Sequence, residues 1–272
     1  MAITLDAACN DTIELSDFIE LVDKSSDHLS IDVLLSHGEH LQMLSNNRKF
    51  LVDHIVGELK NIHDYQPSNG WNSQTIMLGG VAGKFAVRAN VWLPRRMLHG
   101  TSADGRKPQF SFEQAHDHNY DFLTVGYLGR GYETEIWEHD DRCSGEAGEQ
   151  VDLRFLERTS LPEHKVMLYR ASKDVHVQLP PQDDFSISLN LLPPSIPECE
   201  QYLFDFEQSV VTKTFVGGSL GQQWLTEAAG HLCDDNISEV LLAIATKHGS
   251  EKIRRAARRS LAIRWPGLAD EL

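Results

Sequence analysis

The chain has 272 residues, of which 41% are hydrophobic and 24% charged, with a formal net charge of −15. That length holds one large domain or one domain with helical additions. The composition is that of an ordinary globular protein, and the acidic balance argues against nonspecific nucleic-acid binding. No apolar run approaches the ~18–20 residues that span a bilayer, so no membrane partner is expected. Met1 to Asp6 has neither the basic nor the long apolar region of a secretory signal. Cys9, Cys143, Cys199 and Cys233 stand far apart without a CxxC pair, which argues against a disulfide framework or a zinc knuckle. The cytoplasm is the expected compartment.

Residues 13–63 read as helical. Ser16 is placed to cap a first helix, a second starts near Ser30 or Asp32, and a third covers Asn47 to Ile62. In the third, Phe50, Leu51, His54, Ile55, Glu58, Leu59 and Ile62 follow i, i+3, i+4 spacing, and His54 reads as a core or boundary histidine. Pro67-Ser68-Asn69-Gly70 ends this section. Strand patterns follow at Thr75–Leu78 and Lys84–Leu93, and Arg95–Pro108 reads as a loop leading into Phe110-Ser111-Phe112.

His116-Asp117-His118-Asn119-Tyr120-Asp121 comes next. Residues two apart on a strand share a face, so His116 and His118 can aim two imidazoles at one point. The competing reading is a polar strand with two satisfied histidines. The motif is followed by an apolar strand, Phe122–Tyr127, by Gly126, Gly129 and Gly131, and by the alternating Glu133–Glu138. A strand bearing the histidines, a Gly-containing turn and a returning strand describe a metal-site hairpin. Asp121 has three open roles: fourth ligand, hydrogen-bond partner of a ligand, or turn residue.

Asp140–Gln150 reads as a loop, Val151–Arg158 as an edge strand, and Val166–Arg170, Asp174–Leu179 and Phe185–Leu192 as further strands. Many short strands separated by turns indicate a sandwich or barrel, and a jelly roll fits best. His176 supplies a third imidazole 58 residues after His118, a separation that lets several strands intervene. Another strand is expected at Val210–Val216. Gly217-Gly218-Ser219-Leu220-Gly221 lacks the lysine of a phosphate loop and reads as a turn. Gln222–Cys233, Ser238–His248 and Glu251–Arg264 have helical periodicity. The last two form a helical hairpin whose arginines, Arg254, Arg255, Arg258 and Arg259, read as a solvated face.

From Arg88 to Pro194 the chain resembles the cupin superfamily, and within it the thiol dioxygenases. The resemblance is carried by Arg88, His116-Asp117-His118, Leu128-Gly129 with Glu133-Thr134, Tyr169 with His176, and Ser188-Leu189-Asn190-Leu191-Leu192-Pro193-Pro194. It covers roughly residues 84–194, about two-fifths of the chain. The departures lie around the site. Where the family places a histidine and a tyrosine on the last strand stand Asn190 and Leu192, its cross-linked cysteine position is Leu123, and Ser188 alone remains.

The resemblance implies a non-haem Fe(II) site on His116, His118 and His176, with O2 and a small carboxylate-bearing or thiol substrate as reactants; Asp121, which departs from the family's pattern of a Glu slightly later, is the acidic candidate the residues themselves offer. Another divalent metal is the alternative ion. Arg88 is implied to face inward and hold a substrate carboxylate, against the reading that it points outward and pairs with Glu133 or Glu135. Tyr127, Tyr132 and Tyr169 are candidate proton donors set against packing roles, and Tyr169 joins Arg88 in the catalytic set. The expected architecture is mainly β: an N-terminal helical extension (1–70), a cupin-type jelly-roll barrel (73–216) and a C-terminal helical hairpin (222–272). The extensions suit a homodimer interface or a lid. A non-catalytic cupin sensor or partner-binding scaffold is the rival function, and a metal-dependent isomerase is third.

Overall fold

The computed structural model describes residues 2–5, 9–25, 28–66, 69, 71, 74–97, 112–139, 143–182, 184–196, 199–216, 220–232 and 237–269. Residues 98–108 of the expected loop, Gly217, Gly218 and Ser219 of the expected turn, and Cys233 lie outside them. Two compact units are present: Met1–Asp140 with Asp152–Pro194, and Asp141–Val151 with Ser195–Leu272.

The first unit begins with strand β1 (Ile3–Leu5) and helices α1 (Leu15–Ser25), α2 (Ile31–Ser36), α3 (Gly38–Asn46) and α4 (Arg48–Lys60). Ser16 lies inside α1 rather than capping it, because the helix already starts at Leu15. Ser30 does cap α2, and Asn47 caps α4 by accepting from the Lys49 and Phe50 amides. Helices α2 and α3 divide at His37 the stretch between Ser30 and Asn47 in which one helix start was expected. His54 is half-buried with Nε2 3.1 Å from the Met77 carbonyl, a boundary histidine as expected.

Strands β2 (Thr75–Val81), β3 (Phe85–Trp92), β4 (Ala115–His116), β5 (Phe122–Leu128), β6 (Glu133–Glu138), β7 (Arg154–Ser160), β8 (Val166–Tyr169), β9 (Asp174–Leu179) and β10 (Ser186–Leu192) follow. They form two antiparallel sheets, one ordered β1-β8-β5-β10-β3-β2, the other running β4-β9-β6-β7. Strand β7 is an edge strand, as its alternation of apolar and charged residues predicts.

The expected hairpin after the histidines does not form. β5 pairs with β10 and β8, whereas β6 pairs with β9 and β7 in the other sheet. Gly129 and Gly131, at φ 85° and 81°, turn the chain from one sheet to the other, a left-handed conformation that favours glycine. A Cβ on Gly131 would also stand 2.0 Å from the Leu161 carbonyl oxygen.

Strand parity sorts the first sheet into two faces. Phe85, Val87, Ala89, Leu123, Val125, Leu189 and Leu191 pack against Phe18, Val22, Leu34, Leu41, Leu44, Phe50 and Leu51 of the helices. The opposite face places Trp92, Phe122, Met167, Tyr169 and Leu192 in a separate cluster with Tyr120, Tyr132 and Ile136. Both faces are therefore buried, which explains why β5 and β10 read as continuous apolar runs. Leu123 belongs to the helix-facing side and points away from the barrel interior.

In the second unit, strands β11 (Gln201–Asp205) and β12 (Val210–Val216) form an antiparallel pair. Helices α5 (Leu220–Leu232), α6 (Ser238–Lys247), α7 (Glu251–Arg264) and α8 (Pro266–Ala269) complete it. Leu241 and Ala245 of α6 pack on Ala257 and Leu261 of α7, the expected hairpin, while Ser260 of α7 donates to the Thr226 carbonyl of α5 at 2.6 Å. The arginine cluster is used within this unit. Arg254 pairs with Glu251, Arg255 with Glu146 at 2.9 Å, Arg258 with Glu251 at 3.4 Å and Arg259 with Glu227 at 2.5 Å. Among the described residues no helix is long and apolar enough to cross a membrane.

Candidate metal centre

His116 closes β4 and stands opposite His176 in the register of β4 with β9. His176 sits at the middle of β9, within the strand expected at Asp174–Leu179. His118 lies two residues beyond β4, so strand alternation alone does not place it. Its ring is instead held edge-on to Phe122 (centroids 4.9 Å apart) and against Tyr120 (5.0 Å). The three rings converge. His176 Nε2 lies 3.1 Å from His116 Nε2 and 3.3 Å from His118 Nε2.

These separations test whether the site suits a metal. With nitrogen–metal bonds of about 2.1 Å, two ligand nitrogens lie about 3.0 Å apart at a right angle and about 3.4 Å apart at the tetrahedral angle. The observed distances fall between. A single proton on His176 Nε2 can serve only one neighbour, so hydrogen bonding does not account for both approaches. Three imidazoles without a carboxylate are also a fitting donor set for a divalent transition metal. Among the described residues, these three histidines are the one group of metal-binding side chains gathered this closely.

Burial governs their charge. His116 is held below the usual imidazole range by desolvation, and His118 and His176 well below it. For His118 the neighbouring His176, His116 and Arg88 add to the effect, and for His176 so does His116. Neutral rings keep their Nε2 lone pairs available. His116 Nδ1 lies 2.8 Å from the Gln114 carbonyl, so Nδ1 carries the proton and Nε2 is left as the acceptor. The Nδ1 atoms of His118 and His176 bond to nothing among the described residues.

Asp121 stands outside the cluster. Its Oδ1 accepts the Ala171 amide at 2.8 Å, holding the chain beyond β8, and it bonds to none of the three histidines. Burial raises its pKa, as does Asp174, against the lowering effects of the Ala171 bond, Arg170 and His28. The ionised carboxylate is thus less favoured folded than unfolded, and the stability it contributes is lost as pH rises from 3.8 through the folded value. Asp121→Asn, which keeps the acceptor and removes the charge, should leave metal content unchanged and stabilise the protein at pH 7. The gain should shrink towards pH 4. Urea denaturation at both pH values checks the sign, and loss of metal in this variant would make Asp121 a ligand after all.

Arg88 faces inward. It is buried on the interior face of β3, its guanidinium 4.1 Å from the Trp71 ring centroid and hydrogen-bonded to Tyr120. Glu133 and Glu135, its alternative partners, instead pair with Arg158. Among the described residues Arg88 has no carboxylate partner, and its Nε has no hydrogen bond. Tyr169 stacks on Phe122 (4.8 Å, 9°) and presents its ring perpendicular to His176 at 4.9 Å. Its contact with His176 is made through the ring. Burial raises the Tyr169 phenol well above its usual range and pushes Tyr132 up to about 12, so both stay protonated. Tyr127 lies on the helix-facing side, donating to the Arg48 carbonyl at 2.9 Å.

Two members of this environment escaped the sequence reading. Tyr120 sits two residues after His118, a spacing that marks it as a neighbour. Trp71 lies outside every strand and helix and gives no such signal. Ser188 Oγ accepts from Trp92 Nε1 at 2.9 Å.

No known family profile matches the chain, and no curated protein matches it either. Solved structures align with it at low identity. A DMSP lyase from Ruegeria pomeroyi DSS-3 is 10% identical over 75% of this chain and 82% of that chain, with a TM-score of 0.27. An uncharacterised Klebsiella pneumoniae protein with a double-stranded β-helix domain is 10% identical over 52% and 90%, at 0.27. A hydroquinone 1,2-dioxygenase in complex with Cd2+ and 4-hydroxybenzonitrile is 12% identical over 47% and 68%, at 0.28. The chain spans about half the length (52%) of another DMSP lyase structure. The chain is a mainly β protein, a jelly roll of two antiparallel sheets flanked by helices, and its interior gathers three histidines that could bind a metal.

Proposed function

We propose that this chain is a non-haem iron oxygenase related in its chemistry to the thiol dioxygenases. His116, His118 and His176 would hold Fe(II), and a small carboxylate-bearing or thiol substrate would be oxidised with O2. The observation that carries the reading is the meeting, in one buried interior, of three convergent neutral imidazoles with an arginine that has no acid partner among the described residues. A buried, unpaired cation is costly. Its retention beside a three-nitrogen cradle makes sense if an anionic ligand completes it.

Bound iron would supply Lewis acidity and access to O2, and leave positions open for both reactants. The protein's own part is positioning. The Gln114 carbonyl fixes the His116 tautomer, Tyr169 and Phe122 set the planes of His176 and His118, and Trp71 and Tyr120 hold the Arg88 fork. Tyr132 and Tyr169 stay protonated and act as donors, not bases.

The test joins metal analysis of protein purified without added metal to oxygen-electrode measurements with a panel of small thiols and carboxylates. About one iron per chain, and oxygen uptake that disappears on chelation and returns with Fe(II) alone, is expected. A metal-loaded protein that consumes no oxygen with any of the panel would transfer the reading to a sensor or a metal-dependent isomerase. Absence of metal would remove the iron centre itself.

A further inference from the structure

We infer that Asn190 is a specificity-determining residue of this site, sharing with Arg88 the grip on a substrate carboxylate. The inference rests on the proposed function only in taking the substrate to be a small carboxylate. Three strands of the first sheet place Thr124, Asn190 and Arg88 side by side: Asn190 is opposite Arg88 on β3 and opposite Thr124 on β5. Directly paired residues point to the same face. Leu189 and Leu191 face the helices, so Asn190 faces the interior, where it is 3% exposed.

Three polar side chains in and beside this row are engaged. Asn90 Oδ1 accepts from Thr75 at 2.9 Å, Ser188 accepts from Trp92 at 2.9 Å, and Thr124 donates to the Leu189 carbonyl at 3.2 Å. Within the row two donors remain: among the described residues, Asn190 Nδ2 and Arg88 Nε are both buried and both without a partner. Leaving a buried donor unbonded is destabilising, and here two lie on adjacent strands, about 4.8 Å apart in backbone spacing. One fixed positive charge plus one neutral amide suits a planar monoanion. A phosphate dianion would call for more cationic groups than this row offers.

The experiment titrates propionate into the protein as purified, by calorimetry, with propionamide and inorganic phosphate as controls and with metal content measured in parallel. Wild type is expected to bind propionate at least about tenfold more tightly than either control. Asn190→Ala should weaken propionate binding about tenfold or more, the size of a lost hydrogen bond to a charged group. Asn190→Asp should abolish it, because the new carboxylate pairs with Arg88 itself. Both variants should keep wild-type metal content and an undiminished melting midpoint, readouts that a collapsed interior would move. Unchanged propionate affinity in both variants would overturn the role of Asn190 and leave the iron and Arg88 readings in place. A wild type that holds metal but ignores propionate would overturn the carboxylate site altogether. Tight propionate binding by a protein without metal, lost in Asn190→Asp, would support Asn190 while removing the oxygenase.

Discussion

His176→Ala is expected to empty the metal site and leave the fold standing. The wild-type ring is fully buried and its Nε2 is the nitrogen that lies within 3.1 and 3.3 Å of the other two. Without it, His116 and His118 remain on the short β4 and the segment after it, two donors where three had enclosed the ion. Loss of an outer hydrogen-bond partner commonly costs 10–100-fold in metal affinity, so removal of a ligand should exceed about a hundredfold. The structural cost is smaller. The imidazole makes no Nδ1 hydrogen bond, and its removal leaves a cavity edged by Phe122 and Tyr169, worth about 1–3 kcal/mol. Plasma emission analysis of purified protein measures the metal, and urea denaturation the stability. Full metal content in His176→Ala would show that the cradle is built from other residues, and the oxygenase reading would go with it.

The outline of this site is legible in the sequence because two of its causes are local. His-x-His announces a pair, and strand-like patterning from Thr75 to Leu192 announces the sheets that bring His176 back. Less legible is anything decided by which sheet a strand joins. The run Phe122–Leu128 followed by Glu133–Glu138 looks like a hairpin by its pattern, yet Gly129 and Gly131 send the two strands to opposite sheets. Glycine-containing turns of both outcomes look alike in one dimension. The direction of Arg88 was likewise open, since β3 is buried on both faces and its parity cannot be assigned from polarity. Asn190 was visible as a departure from the family pattern, but its adjacency to Arg88 appears only with the register of β10 on β3. Strands β1 and β4, of three and two residues, are too short to carry a periodic signal.

Arg88→Met is expected to separate binding from stability, moving them in opposite directions. Arg88 is only 7% exposed, carries its charge among neutral imidazoles and phenols, and has no carboxylate partner among the described residues. What it gains from the protein is the contact with Trp71, worth about 0.5–2 kcal/mol, and its hydrogen bond to Tyr120. Against these stands the cost of burying an uncompensated cation, several kcal/mol after relaxation. A methionine fills similar length without charge, so the ligand-free variant should match or exceed wild type in stability, by about 1–2 kcal/mol if the imbalance is as large as it looks. Propionate affinity should meanwhile fall by more than a hundredfold, the range seen when one member of a buried charge pair is removed. Denaturation midpoints with and without propionate measure both effects on the same samples. The wild type should gain stability with added propionate, and the variant should gain none. A variant that loses 2 kcal/mol or more yet binds propionate normally would make Arg88 a structural residue, held in place by Trp71 for packing and not for an anion.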